Sequence, residues 1–225
     1  VNVTGNPQLK LETGSSDAVL DYSIGTGTNI LTFNYTVAAD HNSADLDYKD
    51  TNSLSSSSGS VQDLALISAS LTLPSPGAAN SLGANKALII DTTAPLINNV
   101  NSNKPNGTYK EGDIIPINIT FNELVNVTGI PQLTLETGET DAVVDYSGGT
   151  GTNTLTFDYT LATGHSSNDL DYVAINSFSL NNGSINDSAG NNATLTLPEP
   201  GAANSLGANK DLIVDTASSF VTSVN

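Results

Sequence analysis

Cysteine, methionine and tryptophan are absent from the 225 residues, and only six positions are Lys or Arg against 23 Asp or Glu. Without cysteine, no disulfide or thiolate metal site holds the fold, so stability must come from packing, aided at most by oxygen-ligated metal. The net charge of −17 argues against phosphate backbones and anionic membrane surfaces, so neither nucleic acid nor membrane is an expected partner. No apolar run approaches the roughly 20 residues of a transmembrane helix, no signal peptide is recognisable, and membrane insertion is not expected. Sustained helical periodicity is missing too. Charged residues are only 13% of the chain. Ser, Thr, Asn and Gly supply most of the polarity, a pattern that suits an exported, extracellular chain better than a cytosolic one.

What is present is a repeat. VNVTGNPQLKLETG at Val1 returns as VNVTGIPQLTLETG at Val125, and the register holds without a gap to IIDTTAP and IVDTASS, a period of 124 residues. About two-thirds of the aligned positions are identical, which marks a tandem array of one structural unit. The copies divide the chain into an incomplete repeat over 1–92, a complete one over 93–216, and 217–225 as the opening strand of a further repeat or a donor strand. The first copy has no counterpart of Ser102–Leu124, which contains the apolar run DIIPINITF. A sandwich without that strand exposes apolar side chains and unpaired edges. The expectation is that preceding residues of a longer chain, or a neighbouring identical subunit by strand addition, complete it.

Period-two alternation dominates. Leu31, Phe33, Tyr35 and Val37 share one face of Asn29–Val37, and Leu155, Phe157, Tyr159 and Leu161 repeat the pattern. With Ala18, Leu20 and Tyr22 upstream and turn glycines in SIGTGT, this predicts a β-hairpin. Further strands are predicted over Gln132–Glu136, Ala193–Leu197, Lys210–Val214, Leu96–Val100 and Asp113–Asn122. LPSPGAANSLGANK and its copy LPEPGAANSLGANK read as a long connection in which GAAN can take one helical turn. Short strands and Gly/Asn/Ser turns predict an all-β fold, tandem immunoglobulin-like Greek-key β-sandwiches.

The acidic residues carry the candidate chemistry. Alternating the strands up and down places Asp169 and Asp171 of DLDY at one pole with Asp215, and by repeat Asp45 and Asp47 beside Asp91, where Glu123 of the next copy can join them. Several carboxylates at such close quarters repel one another unless a cation or a proton intervenes, and oxygen-only ligands suit Ca²⁺. Solvated loop carboxylates that keep the chain soluble are the alternative. DSAGNN offers Asp187 and Asn191 with the spacing of a metal loop or of plain turn chemistry. The first copy reads DLALIS from Asp63 there, so a metal at that loop would be confined to the second. His41 and His165 lie in matching loops near Asp and Ser, but no nucleophile turn or oxyanion signature accompanies them, so no enzyme activity is expected. Thr150, Thr152, Thr154 and Thr156 alternate, as in an ice- or sugar-binding face or simply a polar outer sheet. Sequons such as those at Asn34 and Asn118 follow from composition.

The combination DTTAP, TYKEGDIIPINITFNE, VNVTGIPQLTLETG, TNTLTFDYT, DLDY, DSAGN and LPEPGAANSLGANK resembles the immunoglobulin-like tandem repeats of very large bacterial surface proteins and adhesins, over essentially the whole chain. The resemblance implies extracellular β-sandwiches, often rigidified by Ca²⁺ at domain junctions, that act as stalks. Their partners would be adjacent repeats, with any host or environmental surface ligand bound elsewhere in the full protein. DLDY and DTTAP also loosely resemble the calcium motifs of cadherins, which supports Asp45, Asp47 and Asp91 as ligands. Two other readings stand beside the stalk: a filament or sheath subunit completed by strand donation, and a carbohydrate- or ice-binding domain.

Overall fold

The computed structural model describes residues 1–217, so the further strand or donor expected over 217–225 falls almost entirely outside the described residues. The chain divides into two compact units, Val1–Thr93 and Ala94–Asn225. Each is nearly all β, in several antiparallel sheets, an arrangement consistent with a β-sandwich.

The first unit contains β1 (Asn2–Thr4), β2 (Gln8–Leu11), β3 (Ala18–Ile24), β4 (Thr32–Phe33), β5 (Leu54–Ser55), β6 (Ser60–Gln62) and a single helical turn, α1 (Leu82–Asn85). β4, β3, β2 and β5 form one sheet in that order, and β1 pairs with β6. The segment expected as a strand over Asn29–Val37 keeps ladder bonds only at Thr32 and Phe33, both to β3. Its buried core is small: Leu11, Ala18, Leu20, Leu46 and Tyr48, with Phe33 and Tyr35 half-buried against it.

The second unit contains β7 (Ile97–Ser102), β8 (Gly107–Tyr109), β9 (Ile114–Thr128), β10 (Gln132–Leu135), β11 (Ala142–Gly148), β12 (Thr152–Thr160), β13 (Ser166–Ser167), β14 (Phe178–Ser179), β15 (Ser184–Asn186), α2 (Leu206–Asn209) and β16 (Leu212–Asp215). The main sheet runs β14-β10-β11-β12-β9-β15, with β7 also on β9, and β13-β16-β8 forms a second sheet whose β16–β8 pair is parallel. β9 organises the unit. Ile115, Ile117, Ile119 and Phe121 alternate inward and are fully buried, and the strand is laddered to β12 on one edge and β7 on the other. Pro116 is tolerated inside it because its carbonyl faces the β7 side, where it accepts from Ser102 Oγ at 2.7 Å. The β7 ladder ends at Ser102↔Ile117, so the missing N–H leaves no ladder bond unmade.

The two units repeat their fine structure. Tyr48 and Tyr172 each donate to a proline carbonyl, Pro74 and Pro198, at 2.6 Å. Gln8 bonds Asp21 at 2.9 Å and Gln132 bonds Asp145 at 2.8 Å. A Cβ on Gly59 would lie 1.9 Å from Thr4 O, and one on Gly183 2.2 Å from Thr128 O, so both copies need glycine at that backbone crossing. Two more predicted elements differ. Ala193–Leu197 makes only an isolated bridge, Leu96↔Thr194, because its main-chain bonds go singly to three different places, Ile185, Pro95 and Ile175, rather than to one strand. The helical turn is LGAN, one run beyond GAAN, started by Ser81 and Ser205, whose side chains accept from Ala84 N and Ala208 N as N-caps do.

Candidate functional site

The carboxylates of DLDY do not gather where alternating strands placed them. Ser166 pairs with Asp215 and Leu170 N–H donates to Leu212 O, so Asp169 and Asp171 lie at the opening of β16, beside Asp211. Asp215 closes the strand about 13 Å further on at normal strand rise. The first unit behaves alike. Ser43 bridges Ile90 and Leu46 N–H donates to Leu88 O, which sets Asp45 and Asp47 at the far end of that segment from Asp91. Asp91 instead closes a local turn, accepting from Thr93 N at 2.9 Å. The expectation failed because it left DLDY at the pole where the preceding strand ends, whereas the stretch from Ser166 to Leu170 turns and runs back antiparallel along β16.

What the DLDY carboxylates do contact is the long invariant connection. Asp171 Oδ2 accepts from Gly201 N at 2.9 Å and Oδ1 from Tyr172 N at 2.9 Å. Asp47 repeats this with Gly77 N at 3.0 Å and Tyr48 N at 2.9 Å. Burial opposes ionisation of Asp47, but donors at Gly77, Tyr48, Ser81 and Gly83 outweigh it and hold the carboxyl below its ordinary value. The second aspartate of each DLDY is thus a buried clasp for the PGAANSLGANK loop. Small residues make this possible: a methyl on Gly207 would stand 2.9 Å from Asp171 Oδ2 and 3.4 Å from Asp169 Oδ2, and one on Gly83 meets Asp47 and Asp45 at 3.0 and 3.3 Å.

The first aspartate of the motif is exposed and differently placed electrically. Desolvation of the carboxylate, then repulsion by Asp211 and Asp171, pushes Asp169 above its ordinary value. At the position of Asp211 the first unit carries Ala87, so the acidic trio exists in one copy only. Asp211, Gly207 and the two serine caps were not singled out as site residues, although their invariance between copies, or in Asp211's case its departure, was there to be read.

Asp187 opens the DSAGNN loop. Its Oδ1 accepts from Asn191 N at 2.8 Å and its Oδ2 from Asn191 Nδ2 at 2.7 Å. Burial raises its carboxyl, but these bonds and those from Gly190 and Ala189 prevail and hold it below the usual range. Asp63 does the same work in the first copy, taking Ala65 N at 2.8 Å and Ile67 N at 2.9 Å, although Leu64, Leu66 and Ile67 replace Ser188, Gly190 and Asn191. The turn chemistry therefore persists where the metal-loop spacing is lost. Within the second unit, a carboxylate oxygen of Glu123 lies within 4.8 Å of one of Asp187, a proximity created by β15 lying against the end of β9.

The histidines are built into the loops. Ala162 N–H donates to His165 Nδ1, so that nitrogen is an acceptor and Tyr159 O–H donates to it as well, at 2.8 Å. Burial pushes the Tyr159 phenol up to about 12. Tyr35 and His41 repeat the pair at 2.9 Å. The alternating threonines are engaged locally: Thr150 Oγ1 accepts from Val127 N, Thr152 donates to Gly149 O, and Thr156 donates to Asn118 Oδ1. No helix among the described residues is long and apolar enough to cross a membrane. No family model matches the chain, and comparison with curated proteins and with solved structures gave no match either.

Proposed function

We propose that this chain is a non-enzymatic stalk or spacer segment of a bacterial extracellular surface protein or adhesin, built from immunoglobulin-like Greek-key sandwiches in series. The observation that carries the reading is that both copies retain one internal skeleton, the Tyr–Pro bond, the aspartate clasp, the serine-capped turn and the Tyr–His pair. What recurs secures shape. A repeat array adds unit and nearest-neighbour stabilities, so duplicating a rigid unit lengthens a spacer without needing a new site.

Calcium belongs to this proposal as a stiffening ion. Oxygen donors suit it, and the repulsion of Asp169 by Asp211 and Asp171 is what a divalent cation would relieve. Asp171 is already satisfied by N–H donors, so Asp169 and Asp211 would supply most of the binding, with the Asp187 and Glu123 pair as a second place. Small-angle scattering and thermal melts of the 225-residue chain, with Ca²⁺ and with chelator, test the two parts separately. An elongated, well-defined particle supports the spacer, and a compact or widely fluctuating one counts against it. A melting temperature indifferent to Ca²⁺ removes the ion and leaves the spacer standing.

A further inference from the structure

The two units differ on the outer face of β2–β3 and of its counterpart β10–β11. In the first, the ammonium of Lys10 lies 3.0 Å from Asp17 Oδ2, and that of Lys49 reaches Glu12 Oε2 and lies 3.5 Å from Asp17 Oδ1. In the second, the carboxylates stay, as Glu136 and Asp141, while Thr134 and Val173 stand in place of the two lysines. The frame beneath is unchanged. Lys49 N–H donates to Lys10 O at 3.1 Å, and Val173 N–H to Thr134 O at 3.3 Å. Lys10 faces Val19 across the ladder as Thr134 faces Val143. Gly14 N–H and Gly138 N–H each fix the Oε1 of their glutamate, at 3.3 and 3.2 Å. The oxygens that take ammonium in the first copy therefore have counterparts in the second, but neither threonine nor valine can serve them. Asp141 also lines an open cleft of about 580 Å³ with Asp145, Asp158, Thr160 and His165.

We propose that Glu136 and Asp141 form an acceptor site for a primary alkylammonium group supplied from outside the chain, a free diamine or the lysine side chain of another molecule. An acidic pair alone would not identify its ligand. Here the first copy does, since the same two positions hold lysine ammonium there on the same backbone frame. The surroundings agree. Val143 and Val173, 58% and 42% exposed, offer apolar surface to the methylenes of such a ligand, which a bare metal ion would not use. Each contact is a charge-assisted hydrogen bond made in the open, so the affinity is modest. This inference does not rest on the stalk reading or on any Ca²⁺ at Asp169.

The test is an NMR titration of the full chain, at physiological salt, with cadaverine and with an acetylated, amidated Gly-Lys-Gly peptide. The expected result is saturable binding that shifts the amides of Glu136, Asp141 and Val173 and leaves those of Glu12, Asp17 and Lys49 in place. E136Q/D141N should weaken it by roughly tenfold or more. E199Q, which removes a carboxylate elsewhere in the unit, should not, and T134K/V173K should abolish it by filling the site from within. Cadaverine bound more tightly than the peptide assigns the site to a free amine, and the reverse order assigns it to a protein lysine; both sustain the proposal. Absence of saturable binding by either probe overturns it, as do shifts spread evenly over the acidic surface, equal binding by E136Q/D141N, or binding that survives T134K/V173K.

Discussion

Phe33 and Phe157 stand at the same place in the repeat, yet Phe157 is fully buried and Phe33 is half-exposed. The same contrast runs through Leu31 and Leu155, Tyr35 and Tyr159, Leu88 and Leu212. Nearly identical strands therefore have unequal cores, five buried apolar residues against twenty-two, because one side has β9 to pack on and the other does not. Local sequence sets strand faces and turns, while burial depends on a partner strand to pack on.

The comparison can be broken most sharply by truncating the shared phenylalanine. Phe157→Ala should cost the second unit about 3–5 kcal/mol, whereas Phe33→Ala, already half in water, should cost the first unit less than half as much. Hydrogen exchange measured for each unit separately gives both numbers, and equal losses would mean that Phe33 is packed as well in solution as Phe157. Next in size is the clasp. An exposed helical Gly→Ala exchange ordinarily gains up to about 1 kcal/mol, but Gly207→Ala should instead destabilise by about 1–2 kcal/mol, because the methyl displaces a carboxylate held by buried donors. Gly83→Ala should do likewise, and a gain in thermal stability in either unit would show the clasp to be loose.

The acidic groups sharpen the contrast through pH. Asp187 is held below the ordinary carboxylate range, so its stabilising bonds are complete at neutral pH and are lost as pH falls through its lowered folded-state value. Asp187→Asn should then cost about 1 kcal/mol at neutral pH, with the difference vanishing in acid. Asp169 has the opposite sign. Its value is raised, so ionisation weakens the fold and lowering the pH toward that value relieves it. Asp169→Asn should raise the melting temperature of the second unit in chelator and remove the larger part of any gain from Ca²⁺. Asp45→Asn, lacking an Asp211 counterpart, should do neither. The smallest effect is expected at Leu66, which holds φ +63° where the second copy has Gly190 at +94°. Leu66→Gly should stabilise the first unit by a few tenths to about 1 kcal/mol, as relief of left-handed strain exceeds the entropy of glycine. A denaturant melt showing a loss would mean that the exposed leucine packs on something.

Alternation along Leu155, Phe157 and Tyr159 was enough to read an all-β chain with antiparallel sheets, since a period of two survives any arrangement of neighbours. The Ser81 and Ser205 caps, by contrast, were passed over in favour of GAAN, although serine before LGAN is the better start signal. The grouping of acids was out of reach for a different reason. It depends on which way DLDY crosses the last strand, and a motif flanked by loops carries no directional signal. Proximity of Glu123 to Asp187 likewise arises from β15, three residues long, too short to announce its pairing.

The Asp63 and Asp187 turns show one carboxylate organising a loop whose intervening residues share only an alanine, Ala65 and Ala189. Because the aspartate grips main-chain amides in both copies, the turn survives loss of the side-chain bond that Asn191 adds in the second. Such a loop is a place where copies of the repeat can diversify freely, acquiring a greasy tip in one and a polar tip in another, without renegotiating the fold beneath.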